Sequence, residues 1–227
     1  MMFVIVRRTV LSAICLTAAY GVMRQCRKPS GWLGRRLAGA MNIGHGALTL
    51  WGLEGVPIQA DWRILDVGCG GGQTIRRLAA KASTGHVSGI DYSDASVAVA
   101  RRTNAGVIEA GRVDVQQGSV SHLPYPDAAF DLVTAVETHY YWPDLPSNLR
   151  EILRVLKPGG RFVLIAEAFK GRRADWLYAP VMRLLLSATY LTLAEHRQVL
   201  AAAGFTDVEV RSNASRGWMC ASGRRPA

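Results

Sequence analysis

The chain has 227 residues, of which 49% are hydrophobic and 19% charged, a balance that suits one folded domain with a full core and excludes a disordered or fibrous chain. Its formal charge is +10, and 23 of its 27 basic residues are arginines. They sit in scattered pairs such as Arg35-Arg36 and Arg101-Arg102; a nucleic-acid footprint would be a dense stripe interleaved with aromatics, so nucleic acid is not the expected partner.

Residues 1–28 hold an apolar run, Thr9 to Met23, behind Arg7-Arg8 and ahead of Arg24, Arg27 and Lys28. The run is short for a membrane span, which needs about 20 apolar residues. Three readings stay open: an anchor for the cytoplasmic face of a membrane, an extension outside the domain, or a helix packed on it. Residues 29–60 are rich in glycine and tryptophan and read as short helices and turns that form a lid, with Leu37, Met41, Leu48, Leu50 and Trp51 needing burial. The domain proper is expected over 61–227.

Strands and helices then alternate. Ile64–Val67 is a buried strand and Gln73–Lys81 a helix. Val87–Ile90 is a strand, and Asp94–Arg102 a helix capped by Ser93 or Asp94. Val113–Gln117 and Phe130–Val136 are strands, the second an apolar run covered on both faces. Pro146–Leu156 is a helix stopped by Lys157-Pro158-Gly159-Gly160, and Phe162–Ala166 is a strand. Trp176–Leu186 and Leu193–Ala203 are helical, and Val208–Val210 and Trp218–Ala221 close the chain as strands. The alternation predicts an α/β, doubly wound, mostly parallel sheet of Rossmann-like form, with one antiparallel strand near the C-terminus. The cysteines (Cys15, Cys26, Cys69 and Cys220) form no Cys-x-x-Cys pair and no cluster at zinc spacing. No metal is expected, and a reducing cytoplasm fits best.

In such a sheet ligands bind at the carboxyl ends of the strands. The first strand ends in Asp66 and a turn, Gly68-Cys69-Gly70-Gly71-Gly72, whose glycines permit positive φ and a close approach of ligand to main chain. Cys69 stands where a small residue is needed. Asp91 closes the second strand 19 positions past Gly72, the spacing at which a carboxylate accepts the hydroxyls of a ribose. Gly118-Ser119-Val120 follows the third strand and Glu137-Thr138-His139 the fourth.

The spacing Gly68, Gly70, Gly72 departs from the dinucleotide pattern. Leu65-Asp66-Val67-Gly68-Cys69-Gly70-Gly71-Gly72, Gly89-Ile90-Asp91-Tyr92-Ser93, Leu123-Pro124-Tyr125-Pro126-Asp127 with Phe130-Asp131-Leu132-Val133, and Leu149 to Gly160 together resemble the small-molecule branch of the class I S-adenosylmethionine-dependent methyltransferases, type 11. The resemblance runs from Trp62 to Ala166. It implies S-adenosylmethionine as cofactor and a small, partly apolar acceptor methylated on oxygen, nitrogen or carbon. It implies that Gly68, Cys69, Gly70 and Gly72 approach the amino-acid end of the cofactor and that Asp66 orients its ammonium. Asp91 then holds the ribose, Tyr92 packs beside ribose or adenine, and Gly118, Ser119 and Val120 meet the adenine edge. Many relatives carry an acid where Ser119 stands. Glu137 joins the cofactor set. His139 is the candidate base for an acceptor that starts protonated, the alternative being a structural histidine. Tyr140, Tyr141 and Trp142 either shape an apolar acceptor site or fill the core. The insertion Phe169 to Leu191, with Trp176, Leu177, Tyr178 and Leu184–Leu186, is expected to wall the acceptor. An RNA methyltransferase, a non-catalytic cofactor-binding module and a dehydrogenase are the alternatives.

Overall fold

The computed structural model describes Gly21, Gln25 and residues 27–171, 175–180, 182 and 188–227. The seven strands are β1 (Arg63–Val67), β2 (His86–Asp91), β3 (Val113–Gln117), β4 (Phe130–Val136), β5 (Leu156–Ala166), β6 (Thr206–Asn213) and β7 (Trp218–Arg224). They form one sheet in the order β3-β2-β1-β4-β5-β7-β6. The first five run parallel; β7 is antiparallel to both neighbours, β5 and β6. This is the expected doubly wound sheet, and the order reverses beside β1, where β2 leads one way and β4 the other.

The helices are α1 (Gly31–Gly44), α2 (Gly46–Gly52), α3 (Gln73–Lys81), α4 (Asp94–Thr103), α5 (Ala105–Glu109), α6 (Leu145–Val155), α7 (Asp175–Pro180) and α8 (Leu193–Ala202). Alternation along β1 divides the core. Ile64 packs with Leu48, Ile75, Leu78 and Val97 on one face; Leu65 and Val67 pack with Leu149, Ile152 and Leu200 on the other. Period-2 side-chain alternation feeds both layers from one short strand.

Local chemistry sets the helix starts. Ser93 caps α4, its hydroxyl accepting from Ser96 N at 3.1 Å. Thr192 and Glu195 form a reciprocal capping box on α8. The helix expected over Pro146–Leu156 begins and ends one residue earlier. Asp144 is its N-cap, and Leu156, fully buried and extended, already pairs with Phe130. The 157–160 stretch then bulges from the ladder, with Gly159 at φ 74°.

The segment before β1 is part of the packed structure. A methyl at Gly52 would lie 2.4 Å from Ile165, so α2 sits directly on β5. Arg211 of β6 stacks on Trp51 and donates to the Trp51 and Gly52 carbonyls. Leu48 is buried as expected, but Leu50 is 57% exposed, against expectation: it lies on the helix face turned away from the sheet. Of the helix expected over Trp176–Leu186, α7 covers the start, and residues 181 and 183–187 lie outside the described residues. Most of the anchor segment, residues 1–20 included, lies outside them too. Among the described residues no helix is long and apolar enough to cross a membrane.

Candidate cofactor and acceptor site

The cleft lies over the carboxyl ends of β1, β2 and β4, where the strand order reverses. It has two adjoining lobes that share Gly68, Asp91, Tyr92, Thr138 and Tyr141. Asp66, Cys69, Gly70, His45 and Glu137 line the first. Gly118, Ser119, Val120 and Trp142 line the second. Every cofactor-site residue expected from the sequence therefore borders the cleft except Gly72, which holds the turn from below.

The turn is built from left-handed backbone: Gly68, Gly70 and Gly72 have φ of 69°, 52° and 81°. Their reasons differ. A Cβ at Gly68 would meet Thr138 Oγ1 at 2.1 Å, whereas one at Gly70 meets nothing within 4 Å and would project into open cleft. Gly68 thus permits close packing of two strand ends, and Gly70 leaves room for a ligand against bare main chain.

Asp91 is held from two sides. Gly70 N–H donates to its Oδ2 and Ser93 N–H to its Oδ1, each at 2.9 Å. An ionised carboxylate has about four acceptor sites, so two remain for the hydroxyls of a sugar. Burial raises the Asp91 pKa and the two N–H groups oppose that rise. Asp66 is 2% exposed and accepts from Thr134 Oγ1 at 2.6 Å. Burial pushes its pKa up to about 7, against the Thr134 hydrogen bond and with the Asp91 charge adding to the rise. Two carboxyls that share one lobe, neither of them in an ion pair among the described residues although Arg27 and Arg77 line the same lobe, suit a ligand with a cationic end and a diol. The Cys69 thiol is buried and its pKa is pushed up by burial and by both acids, which makes it an inert small side chain.

Tyr92 is 37% exposed, and its hydroxyl donates to the Arg27 carbonyl while Lys28 lies 5.4 Å from its ring centroid. Ser93 Oγ donates to the Pro29 carbonyl at 2.5 Å. The end of β2 thus fastens the segment that enters α1, and Arg27 and Pro29 join the cleft wall. Nothing in the sequence marked these two, because their carbonyls do the work. Ser119 Oγ accepts from Ser121 N at 3.2 Å and keeps a second lone pair for a ligand amino group.

Glu137 adopts a left-handed backbone, φ 56°, rare for a residue with a side chain. Its Oε1 accepts from Glu167 N at 2.5 Å, and burial followed by the Glu167 charge pushes its pKa up to about 8. Thr138 and Tyr141 face the cleft. His139, read from the sequence as the candidate base, does not. Its ring is 1% exposed and its Nε2 lies 3.1 Å from His196 Nε2 on α8, beneath the sheet end. The reading of His139 as base is corrected on that geometry, since no atom of it borders either lobe. Tyr140, 3% exposed, is core, whereas Tyr141 and Trp142 line the cleft. Trp176 is 79% exposed, and residues 184–186 lie outside the described residues.

The sheet order, the glycine turn and the acid at the end of β2 are those of the class I methyltransferase fold. Residues 65–164 match the family model described as a methyltransferase domain. The chain is 39% identical over 112 residues to 27-O-demethylrifamycin SV methyltransferase of Amycolatopsis mediterranei, covering 48% of this chain and 40% of that one. It is 41% identical over 103 residues to demethylmenaquinone methyltransferase of Symbiobacterium thermophilum, covering 45% and 41%. The chain thus spans less than half the length of these relatives. Among solved structures, the [4+2]-cyclase SpnF superposes with a TM-score of 0.68 at 24% identity, over 80% of this chain and 81% of that one.

Proposed function

We propose that the protein transfers a methyl group from S-adenosylmethionine to a small, partly apolar acceptor. The observation that carries this reading is Asp91, a buried carboxylate pinned by two main-chain N–H groups with acceptor capacity left over, beside a turn whose Gly70 opens on the cleft. S-adenosylmethionine supplies an electrophilic methyl on a sulfonium, so the protein need not activate that group. Its residues bind, orient and exclude water: Asp91 takes the ribose, Asp66 the ammonium, and Gly118 to Val120 with Tyr92 flank the base. Alignment of a bound nucleophile with the methyl carbon supplies several kcal/mol, up to about 7–11 in good cases.

Acceptors named for the relatives, a rifamycin derivative and demethylmenaquinone, are small molecules. The second lobe, where Ile90, Val120 and Trp142 stand beside Gly118 and Ser119, supports the adenine end of the cofactor, which leaves the part of the first lobe bordered by His45, Thr138 and Tyr141 for the acceptor. Fold alone does not fix the reaction, as the cyclase with the same fold illustrates. The test has two arms. Calorimetry with S-adenosylhomocysteine should give one site per chain, and host extract incubated with methyl-labelled cofactor should yield a labelled small molecule by mass spectrometry. Binding with no labelled product from extract or from a broad acceptor panel would reduce the protein to a cofactor-binding module. Labelled RNA would overturn the small-molecule reading.

A further inference from the structure

We propose that His45, Glu137 and Glu167 form a site for one divalent transition-metal ion of the zinc class at the edge of the cleft, with its open coordination positions turned toward the acceptor.

The three ligands come from segments distant in sequence. His45 stands between α1 and α2, Glu137 is one residue past β4, and Glu167 one residue past β5. One ligand atom from each lies within 4.8 Å of the others, and among the described residues this is the group that meets that condition. His45 Nε2 lies 3.9 Å from Glu167 Oε1. That is too long for a hydrogen bond, and it leaves space for an ion between the two atoms. Ligands on a tetrahedral ion with bonds of about 2.0–2.2 Å sit about 3.3–3.6 Å apart, so a shift of less than about 1 Å per side chain closes the site.

The donor set differs from a surface cluster of acids. It includes an imidazole, partly buried beside the two carboxylates. The Glu167 main-chain N–H holds Glu137 Oε1 at 2.5 Å and fixes the direction of that carboxylate, the kind of outer contact that orients ligands in metal sites. One imidazole with two carboxylates favours zinc or manganese over magnesium or calcium, which take all-oxygen cages. Three protein ligands with further positions open is the catalytic rather than the structural pattern. His45 and Glu137 line the same lobe as Asp66 and Gly70. An ion there would hold an acceptor hydroxyl by its oxygen and lower that hydroxyl's pKa, so that its proton is lost to solvent water and the oxygen can bond to the methyl carbon as the carbon–sulfur bond breaks and S-adenosylhomocysteine leaves, without a histidine base. The placement of the acceptor rests on the methyl-transfer reading; the binding of the ion does not.

The experiment uses the full, tag-free chain stripped with a chelator. Cobalt(II), the spectroscopic stand-in for zinc, is titrated and its visible d–d absorption followed, with zinc added afterwards as competitor and magnesium as control. The expected result is one cobalt per chain, displaced by zinc and not by magnesium, and weakened at least about tenfold in E167Q and in H45A. The Glu167 side chain is about half exposed, so E167Q puts little at risk in folding; its S-adenosylhomocysteine affinity checks the rest of the cleft. Absence of cobalt uptake, or uptake unchanged in the H45A/E167Q double variant, overturns the site. Metal binding without S-adenosylhomocysteine binding would sink the methyl-transfer reading and leave the ion site standing; the reverse would sink the ion site alone.

Discussion

Gly70 N–H donates to Asp91 Oδ2 at 2.9 Å, which ties the turn after the first strand to the end of the second. The bond spans 21 positions in sequence and joins the two features that a ligand must meet together. It also explains why a glycine turn alone is weak evidence: the turn acquires its shape partly from the acid across the cleft.

Asp91→Asn removes this arrangement at nearly constant volume. The amide nitrogen cannot accept, so either Gly70 N–H or Ser93 N–H loses its partner, and the ribose loses a charged acceptor. Hydrogen bonds to charged groups contribute about 1.5–3 kcal/mol each. S-adenosylhomocysteine affinity should fall about 10–100-fold by calorimetry, with the far-ultraviolet spectrum retained. A folded variant that binds within about twofold of the parent would take the ribose role away from Asp91.

Asp66 makes binding and stability respond oppositely to pH. Its folded pKa of about 7 lies above the ordinary carboxylate value, so the folded chain holds an extra proton between about pH 4 and 7. The stability from this group is therefore complete below about pH 4 and is lost as pH rises through 7. A cationic ammonium prefers the ionised form, so affinity for S-adenosylhomocysteine should rise several-fold from pH 6 to 8, with proton release seen as a buffer-dependent heat of binding. Asp66→Asn should flatten that profile. A parent profile already flat over this range would show that Asp66 does not meet the ammonium.

Much of the site was legible because parallel strands write it plainly: an apolar run that stops at a polar residue marks a carboxyl end, and Asp66, Asp91 and Gly118 all stand at such ends. Thr134 was missed, although a hydroxyl inside the apolar run Phe130–Val136 was a signal; its register opposite Asp66 appears only once β1 and β4 pair. His139 misled because direction changes within three residues of the β4 end. The left-handed Glu137 turns the chain, Thr138 faces the cleft, and His139 opens a single 3-10 turn toward α8. Its partner His196 lies 57 positions away and nothing local points to it. The entry segment at Arg27 and Pro29 was invisible for another reason: it acts through carbonyls, which every residue has.

Two glycine substitutions should separate packing from ligand approach. Gly68→Ala and Gly70→Ala each force a side chain into left-handed backbone at about 1–2 kcal/mol. At Gly68 the new methyl also collides with Thr138, while at Gly70 it meets only open cleft. Gly70→Ala should lower Tm by about 2–8 °C, and Gly68→Ala by clearly more. Per degree of Tm lost, Gly70→Ala should cost more cofactor affinity, because its methyl occupies the ligand's space. Equal affinity in the parent and Gly70→Ala would place the ligand elsewhere than against this turn.

The His139–His196 pair should act on stability and leave turnover alone. His196 Nδ1 lies 2.7 Å from the Thr192 carbonyl, which can only accept, so Nδ1 carries the proton and the bare Nε2 accepts from His139 Nε2–H. His139 Nδ1 is left buried with no partner. Burial and the neighbouring ring hold the His139 pKa well below its ordinary value, and burial lowers that of His196 too. The unfolded chain therefore takes up protons that the folded chain refuses, so stability from these rings is complete above about pH 6.5 and is lost as pH falls below it. His139→Gln keeps a donor near the Nε2 position and removes one titrating ring. Chemical denaturation at several pH values should show a shallower loss of stability below pH 6.5, while turnover at neutral pH stays within about threefold of the parent. A large fall in kcat with stability intact would return His139 to the chemistry.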